Sequence, residues 1–390
     1  MKTVALGEIA TWGSGGTPSR SKREYFGDGL PWLSITDLND GPVGEAKESL
    51  TELGLKHSSA KAVPPGTLLV AMYGSIGKLG IATRELCTSQ AIAFAIPDAN
   101  RVHTRYFFHF LLAERRSLLA RGRGGTQSNI GQGDLKSWKM PLLPLSEQRR
   151  IAEVLDRADA LRTKRRAALA QLDSLTQSIF LDMFGDPAAN PKAWPRIVLG
   201  ELAVNGFQNG LYKHSSHYGT GTPILRIDAF YDGVVTGLDT LKRLRASASE
   251  IETYGLRESD VVVNRVNSIE YLGKSAIVPF LREPVVFESN MMRFAIDRKM
   301  ALPSYVVAFL QSGFIKRQIG VAAKQAVNQA SINQTDVAAF QFNIPPLSVQ
   351  QTFVDRIIAI EALKTTHRAA LAELDALFAS LQHRAFRGEL

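Results

Sequence analysis

KRRAALAQLDSL (residues 164–175) and THRAALAELDAL (residues 366–377) are one amphipathic segment written twice, 202 positions apart in a chain of 390 residues. Eight of the twelve positions are identical, and the match extends outward in both directions. VALGEIA (4–10) returns as IVLGELA (197–203), and PWLSITDL (31–38) as PILRIDAF (223–230). Ser75-Ile76 and Leu79-Gly80 recur as Ser268-Ile269 and Leu272-Gly273, SQAIAFAI (89–96) as SNMMRFAI (289–296), and LLPLSEQ (142–148) as IPPLSVQ (344–350). A period of nearly two hundred residues is too long for a solenoid, whose repeats run to a few tens. The chain is two copies of one unit, each a globular part followed by a helical connector.

The globular parts mix short β-branched runs (LLVAMY, AIAFAI, VVVNRV, PVVF) with Gly- and Pro-marked turns, which predicts α/β or α+β domains. Residues 105–122 and 303–320 each predict one helix late in the domain, closed by Gly122 and Gly320. The connectors differ in kind. Residues 146–184 contain neither proline nor glycine and place Ile151, Leu155, Ala158, Leu161, Leu169, Leu172, Ile179 and Met183 at alternating three- and four-residue spacings. Phe353, Ile357, Ile360, Leu371, Leu374, Phe378 and Leu381 repeat the pattern. This is a coiled-coil seam. Helices start at Ser146 and Ser348, and Gly185 and Gly388 stand at their ends. A helix of some 38 residues is about 55 Å long and overhangs its own domain, so its stripe needs the other copy as partner. The expected division is therefore two domains (1–145 and 186–347) in tandem, separated by two long antiparallel coiled-coil helices (146–185 and 348–390), in a pseudo-twofold architecture.

Composition narrows the function. Net charge is +9, which favours a polyanion such as nucleic acid or reflects a merely basic solvated surface. A single cysteine, Cys87, excludes internal disulfides and cysteine-based zinc sites. The start MKTVALGEIA lacks the apolar run of a signal peptide, and no membrane-span pattern occurs, which predicts a cytoplasmic protein. Enzyme signatures fail on inspection. A P-loop through Gly77-Lys78 would need its first glycine at Met72 and a hydroxyl at Leu79. Asp28 with Glu45 and Lys47 has a loose nuclease-like look, but no counterpart in the second copy. A tandem repeat imitates a dimer, and dimeric DNA readers place two heads on separated half-sites. Two diverged heads imply two different half-sites.

PLLPLSEQRRIAEVLD (141–156), its echo IPPLSVQQTFVDRI (344–357) and GTLLVAMYGSIGKLG (66–80) together resemble the specificity subunit of type I restriction-modification systems, over essentially the whole chain. The second copy departs from the PLPxxEQ pattern at Val349, where the first has Glu147. The resemblance implies a non-catalytic subunit. Each domain would read half of a split target on double-stranded DNA, and the helices would set the gap. The same helical regions would dock two methyltransferase (modification) subunits, with restriction (translocase-nuclease) subunits joining that core. S-adenosylmethionine, ATP and Mg²⁺ would belong to those partners, and the chain itself would hold no cofactor or metal. The competing readings are a stand-alone DNA-modifying or nuclease enzyme and a coiled-coil scaffold.

Groove and phosphate contacts need cations and amide side chains on loops. The candidates in the first copy are Arg20, Lys22 and Arg23 after a Gly-rich turn; Tyr73, Ser75 and Lys78 on a Gly-hinged turn; and Arg121, Arg123, Thr126, Gln127 and Asn129 in a basic-polar loop. In the second copy they are Asn209 and Lys213, then Asn267 and Lys274, and the loop residues Lys324, Gln325, Asn328 and Gln329. The RTKRR run (162–166) is expected to dock a partner.

Overall fold

The computed structural model describes residues 2–122, 129–327 and 329–390. It separates into two compact units, one of Met1–Ala167 with His367–Leu390, the other Ala168–Thr366. The unit boundaries therefore fall inside the two long helices.

The first unit holds a five-stranded sheet in the order Ala10–Ser14, Ile92–Pro97, Leu68–Ala71, Leu79–Ala82, Gly41–Val43. A four-stranded sheet runs Glu48–Leu50, Phe26–Leu33, Leu86–Thr88, Ala62–Val63. Most pairings are antiparallel, with parallel joins such as Trp32 beside Cys87. The second unit repeats this design. Its six-stranded sheet centres on Val261–Asn264 between Met291–Ile296 and Ser275–Ile277, and a three-stranded sheet sets Tyr218–Leu225 between Arg243–Leu244 and Val286–Phe287. The central strands are buried on both faces, which explains why they read as unbroken β-branched runs.

Each predicted late helix is in fact two. Thr104–Ala113 and Arg115–Arg121 break at Glu114, and Pro303–Leu310 and Gly313–Ala322 break before Ser312, whose hydroxyl caps the Ile315 N–H. Gly320 consequently lies inside a helix and does not end one.

The central helix spans Leu145–Phe184 and the C-terminal helix Leu347–Ala385, about 60 Å each at 1.5 Å per residue. Gly185 and Gly388 follow them at φ +77° and +76°, the left-handed conformation that ends helices. Within the first unit Arg162 meets Asp375 and Arg150 meets the C-terminal Leu390; within the second Asp173 meets Lys364 and Phe180 meets Phe353. As one number rises the other falls, so the helices pair antiparallel in both units.

The helices complete the domain cores as well as each other. The first core takes Ile151, Ala152, Leu155 and Ala158 from the central helix and Phe378 and Ala385 from the C-terminal one. The second takes Phe180 and Phe184 from the central helix and Phe353 from the C-terminal one. Phe386 packs on Tyr106 and Phe110, at 5.3 and 5.4 Å between ring centroids. Its repeat counterpart Phe184 packs on Tyr305 at 4.8 Å. Each repeat's helix thus ends in the core of the other repeat's domain.

The expected seam needs one correction. Leu161 is exposed, and Arg162 takes its place between the helices. The Arg162 guanidinium bonds Asp375 at 2.6 Å and Asp159 at 2.8 Å and lies 4.2 Å from the Phe378 ring centroid. Lys364, the residue 202 positions on, repeats the arrangement with Asp173 (3.0 Å) and Glu361 (2.8 Å). Arg165 contacts His367, and Arg166 also reaches Asp375. Three of the five residues in the RTKRR run are therefore turned to the neighbouring helix.

Candidate nucleic-acid interface

The turn between strands Leu68–Ala71 and Leu79–Ala82 is tight because Gly74 and Gly77 adopt φ of +61° and +75°, accessible to glycine at little cost. Arg115 pins it from behind. Its Nε donates to the Gly77 carbonyl at 2.8 Å while its guanidinium grips Asp40, which in turn accepts the Leu79 N–H. The sequence did not flag Arg115, since a lone arginine at a helix start has no visible target. Tyr73 and Ser75 are exposed on this turn, and Tyr73 bridges to Asn129. Three candidates from separate stretches thus share one edge. Arg121 is exposed with its guanidinium 4.7 Å from the Trp138 ring centroid. Arg123, Thr126 and Gln127 lie outside the described residues, as does Asn328 of the second loop.

In the second unit the corresponding stretches form a small sheet, Val266–Asn267, Gln329–Ser331 and Lys324–Ala326. Asn267 and Gln325 stand on either side of Ala330, and Lys324 opposite Ser331. Lys324, Gln325 and Gln329 are exposed, without a core role. Donors and acceptors on the exposed strands of a small sheet suit a groove edge. Arg265, next to this sheet, donates Nη1 to Ser289 O at 3.1 Å, and its buried Nε has no partner.

The other candidates are placed differently. Arg20 forms a two-pronged pair with Glu48 (Nη2–Oε2 2.9 Å) and lies over Phe26 and Trp32 on the four-stranded sheet. Lys22 sits over the Tyr25 ring, and Arg23 opens the short turn Arg23–Tyr25. Asn209 is exposed at a strand end, and Lys213 pairs with Glu250 at 2.7 Å. Lys78 and Lys274 are half-buried tethers: their ammonium groups face the Ile35 carbonyl (3.5 Å) and the Ile227 carbonyl (2.6 Å). Burial lowers the Lys274 pKa against the pull of Asp228 and Asp232, and its charge sits 3.8 Å from the Tyr231 ring centroid.

The motif before each long helix has a structural meaning. Gln148 is fully buried; it accepts the His103 N–H and donates to the carbonyls of Arg101 and Leu143. Gln350 repeats all three bonds with Leu302, Met300 and Pro345. Positions 147 and 349 beside it are half-buried and used differently: Glu147 pairs with Arg150, and Val349 packs against the second core.

A family model for the type I restriction modification DNA specificity domain matches residues 1–171 and again 191–376. The chain belongs to this specificity family. Among characterised members it is 24% identical over 387 residues to the type I restriction enzyme EcoKI specificity subunit of Escherichia coli K12, covering 93% of this chain and 83% of that one. It is also 24% identical over 373 residues to the MjaIX specificity subunit of Methanocaldococcus jannaschii, covering 90% and 84%. The fold resembles a specificity subunit from M. genitalium (TM-score 0.57, 13% identity, covering 99% and 96%). A solved chain from work on assembly and conformational transition of a type I system aligns at TM-score 0.60 and 18% identity, covering 100% and 98%. Specificity-family membership accounts for the duplication, because the family model itself matches once per repeat. Among the described residues no helix is long and apolar enough to cross a membrane, and no three His, Cys, Asp or Glu side chains cluster to hold a metal.

The helix pairs carry a second surface. In the first unit Leu161 and Leu377 are half-exposed; in the second Leu175 and Leu363 are. Leu161 and Leu363, and likewise Leu175 and Leu377, are repeat equivalents. Leu161, Leu363 and Leu377 each precede a residue that faces the neighbouring helix, Arg162, Lys364 and Phe378.

Proposed function

We propose that this chain reads a split, asymmetric target on double-stranded DNA, one domain per half, and supplies no catalytic residues itself. The observation that carries the reading is the recurrence, in both units, of a polar edge built from the same two stretches: exposed Tyr73, Ser75 and Asn129 in one, half-buried Asn267 with exposed Lys324, Gln325 and Gln329 in the other. The two edges share a scaffold and differ in side chains, as two different half-sites require. The half-exposed leucines at equivalent positions on both helix pairs support docking of two copies of one partner, the methyltransferase subunits, with restriction subunits joining that core. S-adenosylmethionine, ATP and Mg²⁺ then act on those subunits in the cytoplasm.

The test is methylome sequencing of cells expressing the partner subunits with and without this chain. One split adenine-methylation motif disappears with the chain. An unchanged methylome, with the partners expressed, refutes the reading.

A further inference from the structure

The two units differ where the second has a cleft and the first an ion pair laid over aromatic rings. In the second unit a cleft of about 420 Å3 opens between Tyr212, Lys213, Arg226, Lys242, Glu288 and Asn290. Gly210 makes its wall possible: a Cβ there would fall 2.2 Å from the Glu288 carbonyl oxygen, so only glycine lets the 209–213 segment run against the strand Val286–Phe287. In the first unit the equivalent strand pair is covered. Glu48 holds the register position of Lys242, opposite Trp32 where the second unit has Ile224. Arg20 bridges to Glu48 and lies over the Trp32 and Phe26 rings. Where the first unit lays an exposed ion pair over aromatic rings, the second has open space lined with charge.

The lining has three kinds of group. Lys213, Arg226 and Lys242 outnumber the acid Glu288; Lys213 is engaged by Glu250, Arg226 lies between Asp228 and Glu288, and Lys242 forms no ion pair among the described residues. Tyr212 is 77% exposed at the mouth and offers an open aromatic face. At the bottom Glu288 accepts the Ile227 N–H at 2.6 Å, and the buried Arg226 Nε stands 3.5 Å from its other oxygen, without a hydrogen bond. Burial raises the Glu288 pKa, while the Ile227 N–H and Arg226 draw it back. The cleft also adjoins the polar edge described above, since the Asn290 carbonyl accepts the N–H groups of Arg265 and Val266.

Cations that take a phosphate, a free aromatic face that takes a base, and a sunken carboxylate that accepts from an exocyclic amino group match one nucleotide. Clefts of a few hundred Å3 suit ligands of this size. We propose that the second unit binds a single unstacked nucleotide in this cleft, phosphate toward Lys242 and Arg226, base on Tyr212, amino edge toward Glu288. This deepens the DNA-reading proposal and rests on it. The same chemistry is offered by a nucleotide extruded from DNA and by a free mononucleotide.

The test uses the full chain and fluorescein-labelled duplexes, fully paired or carrying one unpaired adenine or cytosine, read by anisotropy, with titration of the four deoxynucleoside monophosphates alongside. The expected result is roughly tenfold tighter binding of the bulged duplexes, lost in Tyr212→Ala, retained in Tyr212→Phe and reduced in Lys242→Met. Paired-duplex affinity should stay unchanged in Tyr212→Ala. Thymidine monophosphate, which lacks an exocyclic amino group, should bind weakest. Saturable mononucleotide binding that Tyr212→Ala abolishes, without preference for a bulge, identifies a free nucleotide as the occupant. Paired duplex bound, with neither bulge preference nor mononucleotide binding, overturns the cleft proposal and leaves the DNA reading standing. If neither duplexes nor mononucleotides bind, both fall.

Discussion

Phe184 belongs by sequence to the first repeat and by packing to the second unit, so its removal should weaken a domain it precedes. The ring is 3% exposed and meets Phe180, Tyr305 and Phe353 at 5.0, 4.8 and 5.3 Å between centroids. Truncating so enclosed a phenylalanine costs about 3–5 kcal/mol, the transfer loss plus the cavity left among rings that cannot collapse. That is a factor of roughly 150 to 5,000 in the folding equilibrium, a large share of the 5–15 kcal/mol typical of a domain. For a unit of this size the midpoint should fall by roughly 6–20 °C. The assay is hydrogen exchange by mass spectrometry on Phe184→Ala in the full chain. Protection should drop in Val261–Asn264 and Met291–Ile296 and hold in Leu68–Ala71 and Ile92–Pro97. Phe386→Ala, with its ring on Tyr106 and Phe110, should give the opposite map. If Phe184→Ala loosens the first unit, or both equally, the exchange of helix ends is refuted.

Other outcomes follow from single contacts. Gln350→Ala strands the Leu302 N–H and two carbonyls and should cost roughly 2–4 kcal/mol by chemical denaturation. Asp156 gathers Arg105 and His109; burial alone would raise its pKa, but their hydrogen bonds outweigh it and hold the carboxyl at about 2. A depressed carboxyl stabilises above its unfolded pKa and loses that contribution as pH falls from about 4 to 2. With the side chain a third exposed this amounts to about 1 kcal/mol, and Asp156→Asn should flatten that part of the acid profile. Lys324→Ala should weaken duplex binding and lower the slope of log K against log salt by about 0.9 if it meets a phosphate; an unchanged slope removes it from the interface.

The duplication, the strands and the long helices were legible because they rest on local signals: β-branched runs buried on two faces, a seam at helical spacing, glycine at φ above zero after each helix. What stayed hidden depends on partners distant in sequence. Phe180 and Phe184 look like two more seam residues until the second domain's aromatic core surrounds them. Arg162 looks like part of a solvated basic run, because only the antiparallel register brings Asp375 to it. Lys78 and Lys274 read as free cations on a turn, but carbonyls of a preceding segment hold them. The break at Glu114 carries neither proline nor glycine, whereas the one at Ser312 is marked by the turn dipeptide Ser312-Gly313, which the continuous apolar pattern around it overrides.

The exchange of helix ends also sets an order of events during synthesis. The first unit needs Phe378, Ala385 and Phe386, so its core cannot close when its own domain has left the ribosome. About two hundred further residues must be made before His367–Leu390 arrives, on the order of 10–40 s at 5–20 residues per second. Through that interval Tyr106 and Phe110 lack their final cover. The nascent first domain is then a natural client for chaperones, and arrival of His367–Leu390 becomes the step that closes the first unit, after every residue of the second unit has been made.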